Sequence, residues 1–342
     1  MSAWYKSTGK QGDVAVSTRI RLARNIAGLP FPAKWSDSEA RQVIESVRSS
    51  LDKDRFTFLM LDNTPELNKQ ALVEEHLMSR EMLTGTNKAL LLSKDEQICI
   101  MLGEEDHIRL QAILPGFDLE AAYAAADQID DALAEHLDYA FDETFGFLTR
   151  CPTNVGTGLR ASVMLHLPAL KMSGQMNALI GQVGKLGLTI RGMYGEGSEA
   201  KGDLFQLSNQ VTLGISEHQL LEKLASVTNQ IITTERDLRQ KLLAGNPDKL
   251  PDQIMRALGT LKYARLLSSA ECEKLLSDVK LGTYLGIVTE VSAAKLTELM
   301  IQTQPAHINL KIGESLNPAQ RDLQRSRLVR EALSKKLETE RG

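Results

Sequence analysis

Short apolar runs and stretches of helical spacing alternate along the first half of the chain. Runs rich in Ile, Val, Leu and Phe, each bounded by Gly, Pro, Asn or Asp, predict strands. They lie at 56–61, 89–92, 97–102, 146–149, 161–167, 188–193 and 204–207. Apolar residues at helical spacing predict helices at 37–51, 68–83, 119–137 and 170–186. Several strands adjoin without a helix between them, so we predict an α+β fold with an antiparallel sheet flanked by helices.

The pattern changes near Ser216, and helical spacing dominates from there on. Ser216 and Gln219 stand at the capping-box positions of a long helix that is predicted to end before Gly245. Further helices are predicted at 252–267, 270–281, 292–302 and 318–340. We therefore predict two domains, 1–215 and an all-helical 216–342. The apolar helix faces suit either a homodimer or packing within the domain, and the charged string 235–239 is interpreted as solvated surface.

Composition narrows the function classes. Of the 342 residues, 42% are hydrophobic and 25% charged, as in ordinary globular proteins. The net charge of −4 argues against a strongly basic nucleic-acid binder. Neither a signal peptide nor an apolar run long enough for a membrane span is evident. The cysteines Cys99, Cys151 and Cys272 are far apart, which predicts no disulfide framework or zinc site and a reducing cytoplasm.

Two segments combine arginine with features of a phosphate site. In STRIRLARN, Arg19 and Arg21 are two apart, so on a strand both would face the same way and offer bidentate forks to phosphate. A solvated basic strand is the alternative. After the run 97–102, the acids 104–106 could hold a magnesium–nucleotide complex or deprotonate a cationic nucleophile. They could equally form a solvated turn paired with Arg109.

A cysteine and another arginine share the segment CPTNVGTGLRASV. Cys151 near cationic groups can be a thiolate, and Arg160 can bind phosphate. The turn 156–158 lets the backbone approach a ligand closely. The segment is not a P-loop, because the Lys-Ser/Thr ending is missing, and a β-turn with a buried cysteine is the alternative. Two weaker candidates are the arginine- and glycine-containing stretch 189–197 and the lone helical His76, which would more often be structural.

Taken together, these segments resemble the phosphagen (guanidino) kinases. STRIRLARN, EEDHIR, CPTNVGTGLRASV and RGMYGE stand in that family's order, and the resemblance runs from Ser17 to Asn209. Only residues 1–16 precede the first motif, and a helical region follows the last. In both of these features the chain resembles the bacterial protein arginine kinases, the McsB family. The resemblance implies a guanidino-kinase catalytic domain, glutamine-synthetase-like in fold, that uses ATP and Mg²⁺ to phosphorylate arginine side chains of proteins in bacterial stress response and degradation.

The resemblance also implies residue roles. Glu105 would be the catalytic base, with Glu196 as a second carboxylate and Cys151 as a thiolate on the guanidinium. Five arginines would clamp the ATP phosphates: Arg19, Arg21, Arg109, Arg160 and Arg191. The other implied ATP-binding residues are Ser17, Thr18, Ile20, His76, Ala161, Ser162, Val163, Met164, Gly192, Met193, Tyr194, Gly195 and Glu196. No set of protein metal ligands is predicted.

A C-terminal segment, 317–326, resembles the RDxxRA phosphoarginine-binding motif of the McsB family, with Ser326 in place of the alanine. Arg321 and Arg325 are four apart, so a helix would put them on one face where they could grip a phosphate. Asp322 could hold a neighbouring guanidinium. We expect these residues to bind phosphoarginine and to couple autophosphorylation to activity, and an exposed charged helix is the alternative.

The resemblance implies several partners: arginine-bearing protein substrates, with a transcription repressor as one candidate, an McsA-type activator and the Clp protease machinery. No nucleic acid and no membrane are expected. Two other interpretations stay open. One is a guanidino kinase acting on a free small molecule such as arginine. The other is a non-catalytic phosphoarginine-binding module, against which the presence of Glu105, Cys151 and Glu196 weighs.

Overall fold

A large antiparallel sheet forms the centre of the molecule. The computed structural model describes residues 3–192 and 201–334. Its strands are β1 (Ala15–Arg24), β2 (Phe56–Met60), β3 (Ala89–Ser93), β4 (Ile98–Leu102), β5 (Ile108–Pro115), β6 (Phe141–Asp142), β7 (Gly146–Phe147), β8 (Leu159–His166), β9 (Leu188–Gly192) and β10 (Leu204–Asn209). Eight of them pair antiparallel in the order β2-β3-β4-β5-β1-β8-β10-β9, and β6 and β7 form a separate hairpin. The predicted α+β antiparallel fold is confirmed.

Helices cover both faces of the sheet. They are α1 (Asp37–Ser49), α2 (Glu66–Glu74), α3 (Leu119–Ala134), α4 (Pro168–Met172), α5 (Met176–Lys185), α6 (Glu217–Gly245), α7 (Lys249–Tyr263), α8 (Ser269–Tyr284), α9 (Ala293–Gln302), α10 (Pro305–Ile312) and α11 (Pro318–Ser334). The capping box predicted at Ser216 is present, with Gln219 as its second member. In the described ranges no helix has the length and apolar character needed to cross a bilayer.

Some predicted elements differ from those observed. The helix predicted at 68–83 is α2 followed by the short 3₁₀ turn Arg80–Leu83, and the one predicted at 170–186 is split into α4 and α5. Strand β5 was not predicted, because polar Arg109 and Gln111 interrupt its apolar residues at every second position. These two side chains face a cavity rather than the core, which explains the interruption. The short helix α10 was also missed.

Alternate residues of the central strands face two different layers. On one face, Ile20, Leu110 and Ala161 join a core with helices α1, α3, α5 and α6. On the other face lie the arginines of β1, β5 and β8, beside a second core formed by the N-terminal turn and the helices after α6. The sheet therefore separates a dry apolar layer from a layer that carries charge.

The long helix α6 belongs to the core of the sheet. Its apolar side chains are buried in the same cluster as the strands: Leu220, Leu224, Val227, Ile231 and Ile232. The sequence of α6 has the same helical spacing as the helices that follow it, so the spacing alone does not show that α6 packs on the sheet. Periodicity shows that a face is apolar but not what covers it. We propose that the boundary between the catalytic and helical parts lies after α6, near Asn246, rather than at residue 215.

The interpretation of 235–239 as solvated surface was wrong for two of its residues. Glu235 and Arg239 are 0% and 3% exposed. The Glu235 carboxylate accepts hydrogen bonds from the backbone N–H groups of Ala169 and Leu170 at the start of α4, at 3.0 and 2.9 Å. Arg239 Nε donates to Glu235 Oε1 at 2.8 Å, and its Nη2 donates to the carbonyl of His166 at 3.1 Å. The pair fastens α6 to the sheet, where a buried charge persists only with such partners.

Candidate active site

Five arginines from four strands line one cavity of about 330 Å³. They are the five singled out in the sequence: Arg19, Arg21, Arg109, Arg160 and Arg191. Strand β1 lies between β5 and β8, and β9 follows β8 in the sheet with β10 between them. Because side chains alternate along each strand, arginines at every second position collect on the same face of these neighbours.

The positive charge of this cavity favours the binding of an anion. Arg21 stands directly opposite Arg160 in the register of β1 and β8, and like charges in that position repel. Burial, together with Arg160 and Arg109, lowers the pKa of Arg19 to about 10. Burial and the neighbouring arginines hold the pKa of Arg21 well below its usual value, although Glu104 opposes the shift. Arg21 Nε is buried without a hydrogen-bond partner among the described residues. A polyphosphate would supply both the missing charge and acceptors.

Neutral side chains complete the arginine layer. Arg19 Nη2 donates to Gln206 Oε1 at 3.0 Å, and Arg160 Nη2 lies 3.4 Å from Ser208 Oγ. Gln111 lines the same cavity. Sequence reasoning missed these three residues. A signal was available, because Gln206 and Ser208 are two apart in β10 and Gln111 is two from Arg109, so each continues a polar face.

His76 lies at the wall of the cavity in an unusual backbone conformation. Its φ is 60°, and the N–H of Leu77 bonds to the carbonyl of Leu72, which closes α2 with the arrangement that usually ends on glycine. Burial, helped by Arg19 and Arg80, lowers the pKa of His76 to about 3. The ring is therefore neutral at physiological pH, and one of its nitrogens is a hydrogen-bond acceptor.

The three consecutive acids have three different environments. Glu104 has a side chain only 1% exposed, pairs with Arg109 and accepts from Ser79 Oγ at 2.5 Å. Asp106 Oδ1 accepts from Asn25 Nδ2 and from the backbone N–H of Arg150, both at 2.8 Å. Glu105 has a side chain 36% exposed, and its Oε2 lies 3.9 Å from Arg109 Nη2. Glu105 is thus the acid left available to an incoming group.

The environment of Glu105 suits a base. Burial raises the pKa of its carboxyl; the nearest cation, Arg109, acts in the other direction without overcoming it. A carboxylate with a raised pKa holds a proton more strongly than an exposed one does. It therefore accepts a proton more readily from a group that approaches it.

The Cys151 loop adjoins the loop of Glu105. Asp106 joins the two loops through its bond to the N–H of Arg150. Cys151 is half-buried, with its Sγ 3.1 Å from Thr153 Oγ1. Thr153 in turn lines a second cavity, of about 210 Å³, together with Arg160 and Arg191. Cys151 therefore contacts a residue of the cavity that holds Arg160 and Arg191. All three cysteines are free thiols.

Some predicted ATP-binding side chains do not face the cavity. Ile20, Ala161 and Val163 are in the apolar core on the other face of the sheet. Thr18 points the same way and donates from Oγ1 to the carbonyl of Gly116 at 2.7 Å. These four alternate with residues of β1 and β8 that line the charged face beside the arginines, among them Ser17, Ser162 and Met164. The predicted residue Gly192, at the end of β9, also lines the arginine cavity. The predicted residues Met193, Tyr194, Gly195 and Glu196 lie outside the described residues.

The predicted phosphoarginine segment forms part of α11. Arg325 is 1% exposed: its Nε donates to the carbonyl of Thr303 at 2.9 Å and its Nη1 to that of Leu267 at 2.7 Å. Its Nη1 also contacts Asp322 Oδ1 at 2.6 Å. Ser326 is buried, while Arg321 donates to the carbonyl of Leu316 at 2.6 Å. An exposed charged helix is therefore a wrong description of the inner half of this segment.

Comparisons with known proteins match the chain to two family models and to solved structures of similar fold. A family model described as "ATP:guanido phosphotransferase, C-terminal catalytic domain" matches residues 39–238, and one described as "Protein-arginine kinase McsB C-terminal domain" matches residues 247–341. A crystal structure of a lombricine kinase is similar with a TM-score of 0.60 and 25% identity, over 70% of this chain and 69% of that one. A duplicated taurocyamine kinase from Schistosoma mansoni gives 0.61 and 25%, over 74% and 39%.

The fold and the arginine-lined cavity therefore define a phosphotransferase of the guanidino-kinase type. Two curated relatives are named "Protein-arginine kinase". The one from Brevibacillus brevis is 48% identical over 97% of this chain and 95% of its own length, and the one from Bacillus subtilis is 44% identical over 97% and 93%. The chain belongs to the protein-arginine kinase family, as the sequence motifs indicated.

Proposed function

We propose that this protein transfers the γ-phosphate of ATP to arginine side chains of proteins. The observation that carries the proposal is the convergence of five arginines on one cavity, with the half-buried Glu105 3.9 Å from one of them, Arg109. Buried positive charge recognises the phosphates, and an acid beside it recognises a cationic acceptor. Membership of the protein-arginine kinase family supports a protein-borne arginine over a free guanidino compound as the acceptor.

The acceptor explains why an acid is needed. A guanidinium has a pKa above about 12, so it arrives protonated and is a poor nucleophile. In the proposed step, a guanidinium nitrogen attacks the γ-phosphorus, the bond from that phosphorus to the bridging oxygen of ADP breaks, and Glu105 accepts the nitrogen's proton. Cys151 and Glu196 would orient the guanidinium and localise its charge. Alignment and charge neutralisation supply most of the catalysis in phosphoryl transfer.

We propose that Mg²⁺ reaches the site with the nucleotide. Among residues 3–192 and 201–334, no group of three or more His, Cys, Asp or Glu side chains is arranged to hold a metal ion. Mg²⁺ commonly binds through substrate phosphates and water with few protein ligands, which fits an arginine-lined site. When bound, the ion would neutralise phosphate charge. The arginines would hold the phosphates in line with the acceptor.

We further propose that the α11 segment with Arg321, Asp322, Arg325 and Ser326 binds phosphoarginine. Arg325 and Asp322 already form a pair there. Arg321 is half-buried, whereas Arg325 is 1% exposed and donates to two backbone carbonyls. Phosphoarginine would therefore contact Arg321 before Arg325. Loss of phosphoarginine binding in Arg321→Ala is the expected result, and unchanged binding would contradict the assignment.

The remaining expectations are proposals of the same kind. We propose that the enzyme is cytoplasmic, which its three free thiols support. We also propose that it acts in stress response with an McsA-type activator. Its phosphorylation would mark proteins for degradation by the Clp machinery, and a transcription repressor would be one of its substrates. A homodimer is proposed from exposed apolar side chains on the helical part, such as Tyr263 and Leu266, 78% and 63% exposed. Sedimentation of the purified protein would test it.

One experiment tests the central proposal. The purified protein is incubated with Mg²⁺ and ATP in the presence of a protein substrate such as casein, or of free arginine, and the products are analysed by mass spectrometry under conditions that preserve acid-labile phosphate. We expect N-phosphorylated arginine in the protein. Phosphorylation of free arginine alone would favour a small-molecule guanidino kinase. Absence of phosphotransfer with retained phosphoarginine binding would favour a non-catalytic module.

A further inference from the structure

The helical part of the chain grips helix α2 next to the cavity. The Glu74 carboxylate at the end of α2 accepts hydrogen bonds from the backbone N–H groups of Ala306 and His307, at 2.8 and 3.1 Å. It also faces His307 Nδ1 at 2.8 Å. Glu74 thus caps the first turn of α10, where a negative charge is favoured by the helix dipole.

The other nitrogen of the same imidazole faces a second acid. His307 Nε2 lies 3.1 Å from Glu75 Oε1, which also accepts from the Tyr5 hydroxyl at 3.0 Å. Both ring nitrogens therefore meet carboxylates, an arrangement that only the doubly protonated ring satisfies. Burial alone lowers the pKa of His307, but the hydrogen bonds to Glu74 and Glu75 outweigh it and raise the pKa to about 9.

The residue after Glu75 is His76, which lines the nucleotide cavity. Its backbone is left-handed, a conformation that is unfavourable for a residue other than glycine, so neighbouring contacts must hold it. Gln111 Nε2 donates to the carbonyl of His76 at 2.8 Å, and the Trp4 ring lies 5.7 Å from the His76 ring. Trp4 Nε1 in turn donates to the carbonyl of Glu75 at 2.8 Å. The contacts on Glu75 therefore fix the backbone from which His76 projects.

We propose that His307 is a positioning residue for the nucleotide: by clamping Glu74 and Glu75 it holds the strained turn that presents His76 to the cavity. The helical part thereby completes the nucleotide site without contacting the nucleotide. The identity of the nucleotide as ATP rests on the proposed function, but the clamp does not. A histidine that merely fastened two parts of the fold would affect stability and leave the relative affinities for the two substrates unchanged.

The test compares two histidine-to-alanine variants of the full chain. His307→Ala removes the clamp, and His218→Ala, on the exposed side of α6 with a side chain 82% exposed, is the matched control. Binding of a fluorescent ADP analogue with Mg²⁺ is measured directly, together with KM for ATP, KM for the protein substrate and kcat. We expect about tenfold weaker nucleotide binding and a similarly raised KM for ATP in His307→Ala. KM for the protein substrate should stay within about twofold, and His218→Ala should match the unmodified protein.

A second variant keeps the proposal testable if His307→Ala fails to fold. Glu75→Gln keeps the side-chain shape and the Glu74 cap but weakens the bond to His307, so it should show the same selective loss in smaller measure. Unchanged nucleotide affinity in either folded variant would overturn the proposal, as would an equal loss of affinity for both substrates. Since nucleotide binding is measured without phosphotransfer, a protein that makes no phosphoarginine at all would refute the proposed function and leave the clamp to be judged separately.

Discussion

Substitution by glutamine should have different effects at the neighbouring acids Glu104 and Glu105: a loss of stability at Glu104 and a loss of kcat at Glu105. Glu105 is 36% exposed at its side chain and lies 3.9 Å from Arg109, so its ion pair contributes at most about 1 kcal/mol. Removing its charge in Glu105→Gln should therefore leave the thermal midpoint and ATP affinity nearly unchanged. As a general base it should be worth about 10²–10⁴ in kcat, or roughly 3–5 kcal/mol of barrier.

Glu104→Gln should instead damage the fold and the nucleotide site. Its side chain is 1% exposed and pairs with Arg109, whose side chain is only 17% exposed. Breaking a buried pair from one side leaves an uncompensated charge and costs about 3 kcal/mol. We expect a clearly lower thermal midpoint, with a change in ATP affinity as Arg109 is released.

The assay for this pair combines calorimetric unfolding, titration with a fluorescent ADP analogue and single-turnover formation of phosphoarginine. Single-turnover rates isolate the chemical step from product release. Full phosphotransfer in a folded Glu105→Gln would refute the assignment of the base. An equal loss of stability in the two variants would refute the distinction drawn between the buried and the accessible acid.

Two further perturbations test the charge distribution. Arg21→Gln should weaken nucleotide binding about 10- to 100-fold, because a charge-assisted bond to phosphate is lost. In the absence of nucleotide it should raise the thermal midpoint, because repulsion from Arg160 is relieved, and a lowered midpoint would contradict this. The exposed Arg48→Gln is the control. Because folding raises the pKa of His307 to about 9, its stabilising contribution is complete below the unfolded value of about 6.5 and is lost as pH rises through 9. The difference in denaturation midpoint between the unmodified protein and His307→Ala should therefore shrink between pH 7 and 10. A constant difference would show that His307 does not titrate there. The acids beside it are Glu74 and Glu75, and the neutral Tyr5 hydroxyl next to Glu75 also faces Glu96 and Glu298.

Local patterns in the sequence determined the arginine layer. Arg19 and Arg21 are two apart, and a strand places such residues on one face whatever its neighbours are. The same alternation separates Arg160 from Ala161 and Val163, so a whole segment cannot line the nucleotide site. The order of the four motifs was sufficient to indicate the family, since each carries several residue types at set spacing.

Only the tertiary structure decided which acid is accessible and what covers each helix. Glu104, Glu105 and Asp106 are adjacent in sequence, and their environments differ because their partners Ser79, Asn25 and Arg150 come from distant segments. Likewise, α6 reads as one more amphipathic helix, yet it lies on the sheet with Glu235 and Arg239 buried. Periodicity specifies that a face is apolar or charged, but burial depends on what the rest of the chain brings against it. The clamp of His307 on Glu74 and Glu75, across more than two hundred residues of sequence, is of this second kind.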